Sequence, residues 1–339
     1  MGARVRVLDL FCGMGGLSLG FALALESAEI LGLDIDRRAV ETYNLNLGRF
    51  NCHAEVADLL RWRPKKERFD IVIGGPPCQP FSSINIKNKG RGHPLFPTLE
   101  RYFELVRAVR PRAFVFENVP GLLRPRFRPL LESRLRSLSR RYRIGCELLN
   151  AADYGIPQTR TRVIAAGICR SSGREFLFPQ PTHSKTGMPR PWLSVQEALR
   201  GLSDGFSMIV IRDAIRNGKP AFFRYPDSPS YTIIAQPDGM AAVYLIWSDL
   251  QHMRKLTAQE RLRIQSFPDW WDFPEHVSVS RRYKLVGEAV PPVLAYRIAI
   301  SLGRALGLPT REPPREDEWD LPYFRRAFAD YFDGASGDG

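Results

Sequence analysis

One thiol in this 339-residue chain stands in a setting suited to nucleophilic chemistry: Cys78, within Gly74-Gly75-Pro76-Pro77-Cys78-Gln79-Pro80-Phe81-Ser82. The β-branched run Ile71 to Ile73 ahead of it reads as a short buried strand, stopped by the glycines and prolines that follow. Prolines on both sides fix φ and push their predecessors toward extended geometry, so the sulfur is carried on a stiff loop. A lone buried cysteine is commonly just a small apolar side chain, so the argument rests on its company. Further along, the apolar run Ala113 to Phe116 ends in Glu117-Asn118-Val119-Pro120-Gly121, which puts a carboxylate at a strand end. Beyond it, Tyr154-Gly155-Ile156-Pro157-Gln158-Thr159-Arg160-Thr161-Arg162 leads into the strand-like Val163 to Ala166. Arginines at i and i+2 of an extended segment share one face. In an open α/β sheet, reactive groups gather outside the carboxyl ends of the strands, so thiol, acid and guanidinium are predicted to converge there.

The first strand, Val5 to Phe11, runs into Cys12-Gly13-Met14-Gly15-Gly16-Leu17-Ser18-Leu19-Gly20 and a helix. A glycine turn of this kind lets a ligand approach the backbone and the helix N-terminus. The dinucleotide fingerprint requires a last glycine where this chain has Ser18, which speaks against a pyrophosphate. Asp34, at the end of a second strand, is placed to accept hydrogen bonds from a ribose. One reading is an adenosine compound without a pyrophosphate; the other is an ordinary tight strand-to-helix connection.

Together these segments resemble the cytosine-C5 DNA methyltransferases that use S-adenosyl-L-methionine, in the prokaryotic restriction-modification type. Asp9-Leu10-Phe11-Cys12-Gly13-Met14-Gly15-Gly16 looks like the family's cofactor loop, Asp34 its ribose acid, and Asp58 in Val56-Ala57-Asp58-Leu59 its adenine-contacting acid. Gly75-Pro76-Pro77-Cys78-Gln79-Pro80 looks like the nucleophile loop, Glu117-Asn118-Val119 the acid motif, and Gln158, Arg160 and Arg162 the Q-x-R-x-R motif. Arg261 to Pro268 and Gly287-Glu288-Ala289-Val290-Pro291 match two late motifs, so the resemblance covers residues 5 to about 300. One departure stands out: the family usually has Asn where this chain has Glu288, which bears on cofactor affinity more than on the chemistry.

The resemblance implies catalytic roles for Cys78, Glu117, Arg160 and Arg162. It implies cofactor contacts at Phe11, Gly13, Gly15, Gly16, Asp34, Ile35, Asp58, Pro76, Leu95, Glu288 and Ala289. DNA contacts are implied at Gln79, Ser82, Ser83, Lys87, Lys89, Arg91 and Gln158. Cytosine C5 is a poor nucleophile, and addition of a thiolate at C6 turns the ring into an enamine-like system. Cys78 would add, with a nearby cationic Arg160 or Arg162 lowering its pKa. Glu117 would bind N3 and the exocyclic amine and supply a proton, for which burial should raise its pKa. Arg162 would hold the ring O2 and orient Glu117, while Arg160 would hold backbone or loop. The base that later removes the C5 proton is a water or a side chain. The target must leave the duplex first. The polar, cationic stretch between Phe81 and Leu95 reads as a lid closing over a phosphate backbone, or as a solvated surface loop.

A net charge of +13 fits an anionic partner, here double-stranded DNA, and only 8 of the 49 basic residues are lysine. The arginine-rich stretch Arg124 to Arg143 is either a DNA-facing helix or a solvated helix face. Five cysteines without C-x-x-C spacing and five histidines without ligand spacing argue against disulfides and metal. No apolar stretch of membrane-spanning length and no signal peptide is apparent, so a cytoplasmic, nucleoid-associated monomer is expected, with a cognate restriction endonuclease acting separately.

The expected fold is α/β: a Rossmann-like, doubly wound, mostly parallel sheet with a second, smaller, irregular β-rich domain. Residues 1–170 are expected to form the catalytic, cofactor-binding domain, completed by a returning segment at about 282–306. Residues 171–281, broken by eight prolines from Pro179 to Pro237 and including the Arg261–Pro268 motif, read as a small irregular domain, which the resemblance implies is the target-recognition domain. Its base readers are sought among Arg190, Arg200, Arg212, Arg216, Arg224 and Gln236. Residues 307–339 form an acidic tail whose aromatics, Trp319 to Tyr331, have the spacing of a packed terminal helix, with a disordered end. Three other functions fit parts of the pattern. A tRNA cytosine-5 methyltransferase shares fold and nucleophile, but the long stretch between Gly167 and Thr257 favours duplex DNA. An inactive DNA-binding relative would be expected to lack Cys78 or Glu117. A nucleotide-linked oxidoreductase is disfavoured by Ser18.

Overall fold

A computed structural model describes residues 4–64, 67–82, 92–211, 215–216, 219–220, 223–235, 242–249 and 251–333. The chain divides into two compact units: Met1–Leu149 with Thr161–Pro179 and Ala295–Arg311, and Asn150–Arg160 with Gln180–Leu294 and Glu312–Gly339. These bounds differ from the expected ones in four places. Asn150–Arg160 goes with the second unit, residues 171–179 go with the first, the returning segment is Ala295–Arg311, and the tail from Glu312 is part of the second unit.

The first unit is a seven-stranded sheet. Its elements in chain order are β1 (Val5–Leu10), α1 (Gly16–Ala24), β2 (Ala28–Asp34), α2 (Arg37–Leu47), β3 (Cys52–Val56) and β4 (Ile71–Gly74). There follow α3 (Phe96–Val109), β5 (Ala113–Asn118), α4 (Arg128–Leu138), β6 (Tyr142–Asn150) and β7 (Thr161–Cys169). The strand order is β3-β2-β1-β4-β5-β7-β6, parallel from β3 to β5, with β7 antiparallel to β5. Runs such as Ile71 to Ile73 and Ala113 to Phe116 carry no polar alternation because both faces of the sheet are covered. On one face Tyr102 and Phe103 of α3 pack against Phe116, and the Tyr102 hydroxyl donates to the Val115 carbonyl at 2.7 Å. Each aromatic buried here contributes about 1.5–3 kcal/mol.

Register decides where loops emerge. Leu33, Leu10, Gly74 and Phe116 lie in one row across β2, β1, β4 and β5. Whatever follows those residues therefore leaves the sheet at the same carboxyl edge. At the outer edge, the Asn44 side chain on α2 donates to the Ala54 carbonyl (2.9 Å) and accepts from its N–H (2.7 Å), occupying backbone groups a further strand would use. Residues 295–311 return to this unit: Arg311 N–H donates to the Ala24 carbonyl at 2.8 Å.

The second unit holds α5 (Val195–Leu199) and a four-stranded antiparallel sheet ordered β11-β8-β12-β13: β8 is Met208–Ile211, β11 Phe223–Arg224, β12 Val243–Ile246 and β13 Met253–Lys255. Two-residue strands β9 (Ile215–Arg216) and β10 (Lys219–Pro220) pair beside it in sequence. Next come α6 (Ala258–Ile264), started by a Thr257–Glu260 capping box, and α7 (Val279–Glu288). Buried Glu260 is held by Arg254 at 2.7 and 2.8 Å and by the Ser203 hydroxyl. The acidic tail packs here, but as three single turns, α9 (Glu316–Trp319), α10 (Phe324–Ala327) and α11 (Ala329–Phe332), instead of one helix. Asp320, at φ 43°, and the Leu321-Pro322 step break the run.

Helix α8 (Pro292–Leu306) carries the chain from one unit to the other. Taken together, α7 and α8 (Val279–Leu306) contain a stretch long and apolar enough to cross a membrane by length and composition, which the sequence reading did not find. Within the protein, however, 83% of its most apolar window is buried, as a core helix requires.

Candidate active site

The loop after β4 is pinned at both ends. At its start, the Asn118 side-chain amide donates to the Pro76 carbonyl at 3.0 Å. At its end, Phe81 is buried against Phe96 and Phe127, with ring centroids 5.9 and 5.2 Å away. Gly121 lies so close to the Phe81 carbonyl that no Cβ would fit. Between these anchors the Cys78 carbonyl accepts from the Phe81 and Ser82 N–H groups at 2.9 and 3.0 Å, which closes a tight turn around a half-buried thiol.

Glu117 is the last residue but one of β5, its side chain only 11% exposed, and its Oε1 is 3.0 Å from Nε of Arg162, also 11% exposed. The two lie on one face of the antiparallel pair, since Glu117 faces Ile164 and Arg162 is two residues before it. The other carboxylate oxygen rests against Gly75, where a Cβ would come within 2.7 Å of it. A charge-paired carboxyl is thus wedged against the backbone of the segment that carries Cys78. Asn118 and Gly121 had no assigned role from sequence; their place beside Glu117 in one motif was the available signal.

Arg160 precedes the strand that carries Arg162. Strand β7 begins at Thr161, so the alternation rule that placed both arginines on one face does not reach back to Arg160. Its guanidinium is buried in the second unit and donates to the carbonyls of Ile233 (2.7 Å), Gly287 (3.0 Å) and Ala289 (2.9 Å). These bonds hold the backbone at Gly287 and Ala289. Gln158, expected to contact DNA, has its side chain taken up within the second unit. It is fully buried, its amide nitrogen donates to Gln265 Oε1 at 2.9 Å, and its oxygen accepts from the Ile233 N–H at 2.7 Å. Sequence alone gave no pairing of Gln158 with Gln265.

Gln79 and Ser82 are half-buried, and Ser83, Lys87, Lys89 and Arg91 lie outside the described residues. Of the candidate base readers, Arg190 pairs with Asp333 at 2.8 Å. Arg224 is spent on Thr159, Pro229 and Ser230 and lies over Tyr231. Arg200 is exposed, while Arg212, Gln236 and the Arg216 side chain are not described.

At the end of β1, Phe11, Gly13 and Gly15 adopt left-handed φ values of 59°, 54° and 98°. A strained non-glycine in such a turn is a recurrent mark of ligand sites. Asp34 accepts from the N–H groups of Gly13 and Asp36, both at 2.9 Å, and so ties the turn to the end of β2. Open space surrounds the position of a Gly13 Cβ, and the neighbouring Ile35 is 68% exposed although apolar. Gly15 is buried beneath the turn and Gly16 starts α1. Asp58 accepts from Leu60 N–H at 3.0 Å, and Leu95 is partly exposed. A bare turn, an exposed apolar platform and two carboxylates fit an adenosine-bearing ligand. In the second unit Glu288 ends α7, its carboxylate 3.9 Å from the Lys284 ammonium. Beneath the turn Asp9 is fully buried and accepts from the Ser18 hydroxyl at 2.7 Å. Burial pushes its pKa up to about 7; the Ser18 bond opposes this and the charge of Asp34 adds to it. Among the described residues no cluster of three His, Cys, Asp or Glu is placed to hold a metal.

Comparison with known proteins agrees with this geometry. The sequence model described as C-5 cytosine-specific DNA methylase matches residues 5–206 and 194–304. Type II methyltransferase M.AplI of Arthrospira platensis is 30% identical, over 95% of this chain and 91% of its own. M.NlaX of Neisseria lactamica is 31% identical, over 89% and 97%. M.NgoFVII of Neisseria gonorrhoeae is 28% identical, over 88% and 86%. Among solved structures, a mutant of Spodoptera frugiperda DNMT2 matches with a TM-score of 0.67 at 18% identity, over 90% of this chain and 100% of that one. S. pombe Dnmt2 methyltransferase matches with 0.64 at 21%, over 88% and 98%. At those identities the structures speak for the fold, a mostly parallel class I methyltransferase sheet. The sequence match runs through both units and across nearly the whole of its relatives: the chain belongs to the C-5 cytosine-specific DNA methylases.

Proposed function

We propose that this DNA cytosine-5 methyltransferase acts on a cytosine flipped out of double-stranded DNA, with Cys78 as nucleophile, Glu117 as acid and Arg162 as its orienting partner. The observation that carries the assignment is the Glu117 carboxylate, paired to Arg162 at 3.0 Å and seated against Gly75 of the Cys78 loop. The Cys78 thiolate forms a bond to C6, and the C5–C6 π electrons move into the ring as N3 takes a proton from Glu117. Arg162 holds the carboxyl in place and is available to the ring O2. Once C5 carries its new methyl, N3 returns its proton to Glu117, a base removes the C5 proton, and the electron pair of that C–H bond re-forms C5=C6, expelling the Cys78 sulfur as thiolate. The anchors at Pro76 and Phe81 limit the loop's freedom, which keeps the thiol in attacking geometry.

Phe11, Gly13, Asp34, Ile35 and Asp58 are the residues of the first unit that would hold S-adenosyl-L-methionine. When bound, it supplies an electrophilic methyl group on a sulfonium. The first unit is proposed as the catalytic, cofactor-binding one and the second as the reader of the target sequence. We propose a monomer, working beside a separate restriction endonuclease of the same specificity; the relatives' Type II names support that setting. The decisive experiment incubates the protein with labelled S-adenosyl-L-methionine and duplex DNA, followed by bisulfite sequencing. Label should appear at cytosine C5 within one sequence motif, and Cys78→Ser should abolish it. DNA bearing 5-fluorocytosine should leave a denaturation-resistant adduct, because fluorine cannot be lost as a proton. Label on tRNA but not DNA would overturn the substrate, and absence of the adduct would remove Cys78 from its role.

A further inference from the structure

The arginine-rich stretch singled out in the sequence belongs to a larger cluster at the end of the sheet opposite the Cys78 loop. Segments 107–112, 134–143 and 169–174 contain ten arginines and not one acid. The fold draws them together within the first unit. Arg107 at the end of α3 donates to the Ser137 hydroxyl at 3.1 Å, and Arg141 donates to the Arg110 carbonyl at 3.3 Å. Arg170, just after β7, donates to the Ser139 carbonyl at 2.8 Å, and Cys169 N–H reaches the Arg112 carbonyl at 2.8 Å. Because β7 runs antiparallel to β5, its end meets the start of β5, and the helices α3 and α4 end at the same pole.

Arg112 pairs with Asp70 at 3.8 Å and Arg134 with Glu100 at 2.6 Å. The other eight have no carboxylate partner among the described residues, and Arg107, Arg110, Arg136, Arg140, Arg143 and Arg170 are exposed. Holding so many like charges together costs stability, and a polyanion relieves that cost by displacing its own counterions. The field reaches the buried Cys169 thiol: burial raises its pKa, but the Ser171 hydrogen bonds and the charges of Arg141 and Arg110 bring it below the usual thiol range. Strands of this length span about 20 Å, so a duplex seated over the Cys78 loop at one end leaves the arginine pole facing away.

We infer that this arginine pole is a second DNA-binding surface, which grips the phosphate backbone of a duplex segment other than the one being methylated. The contact is sequence-independent, since guanidinium groups on phosphates fix position and read no base. Its use is to keep the enzyme on long DNA: while one segment leaves the reactive loop, another is already held.

The test compares the wild-type chain with two triple variants, Arg136→Ser/Arg140→Ser/Arg143→Ser and Arg136→Lys/Arg140→Lys/Arg143→Lys. An immobilised duplex carrying one target is loaded with enzyme, and capture of a second, labelled, target-free duplex is measured across a salt series. Methylation of a short duplex is assayed in parallel; it reports on the proposed catalytic assignment independently of capture, and on folding. Wild type and the lysine variant should capture the second duplex. The serine variant should lose capture at least tenfold, its log-log salt slope shrinking by between two and three, while methylating the short duplex within twofold of wild type. Failure of the wild type to capture, or equal capture by the serine variant, would overturn the inference. So would loss of short-duplex methylation in parallel with capture, which would make the cluster part of the reactive surface. Preferential capture of single-stranded RNA over duplex DNA would overturn the assignment of the partner.

Discussion

Replacing Asp9 by Asn should change the pH dependence of folding in a way that can be worked out beforehand. Asp9 is fully buried under the β1–α1 turn, with one oxygen on the Ser18 hydroxyl and the other, Oδ1, buried without a hydrogen-bond partner. Burial pushes its pKa from 3.8 to about 7. In the unfolded chain the group loses its proton near 3.8, whereas the folded protein keeps it until near 7. The folded state therefore binds more protons throughout that window, so stability falls as pH rises through it and stays at the lower level above pH 7. At 1.36 kcal/mol per pH unit, the full window corresponds to about 4 kcal/mol, and the part between pH 5 and 7 to about 3 kcal/mol. Asp9→Asn keeps the size and removes the titration. Urea unfolding at pH 5 and pH 8 should show the wild type losing about 3 kcal/mol more than the variant, a relative midpoint shift of about 1 M or more. Two proteins whose midpoints move in parallel from pH 5 to 8 would refute the reasoning, because Asp9 would then be equally ionised in the folded and unfolded states.

Gly75→Ala puts a methyl group within 2.7 Å of the Glu117 carboxylate; the methylation rate should fall about a hundredfold from misplacement of that group, with the melting temperature nearly unchanged, and normal turnover would dismiss the contact. Arg160→Lys replaces a three-point guanidinium by a single ammonium and strands buried carbonyls of Ile233, Gly287 and Ala289; urea unfolding should show a loss of about 2–4 kcal/mol. Asn44→Ala should cost about 1–2 kcal/mol and free the Ala54 backbone at the sheet edge, so size-exclusion chromatography should show concentration-dependent self-association.

Legibility varied with how local each feature was. The strands β1, β4, β5 and β7 stood out because a buried strand in a covered sheet is a short, uninterrupted apolar run, and the glycine and proline punctuation beside them is local too. The returning segment and the tail were harder. Amphipathic spacing suggested one terminal helix from Trp319 to Tyr331, yet a left-handed Asp320 and a proline divide it into single turns.

The linear order of residues by itself determined that this protein has a mostly parallel α/β sheet, a proline-broken second part, a thiol on a stiff loop and a carboxylate at a strand end. These follow from periodicity, chain stiffness and the chemistry of single side chains, which need no partner. Only the tertiary structure decided which backbone Arg160 holds, the carbonyls of Ile233, Gly287 and Ala289 in the second unit. It also decided that Gln158 spends its amide on Gln265, and that ten arginines from three segments share one pole. Side-chain partners distant along the chain are set by strand register and by where each strand starts, and a one-residue difference in either reverses the direction a side chain takes.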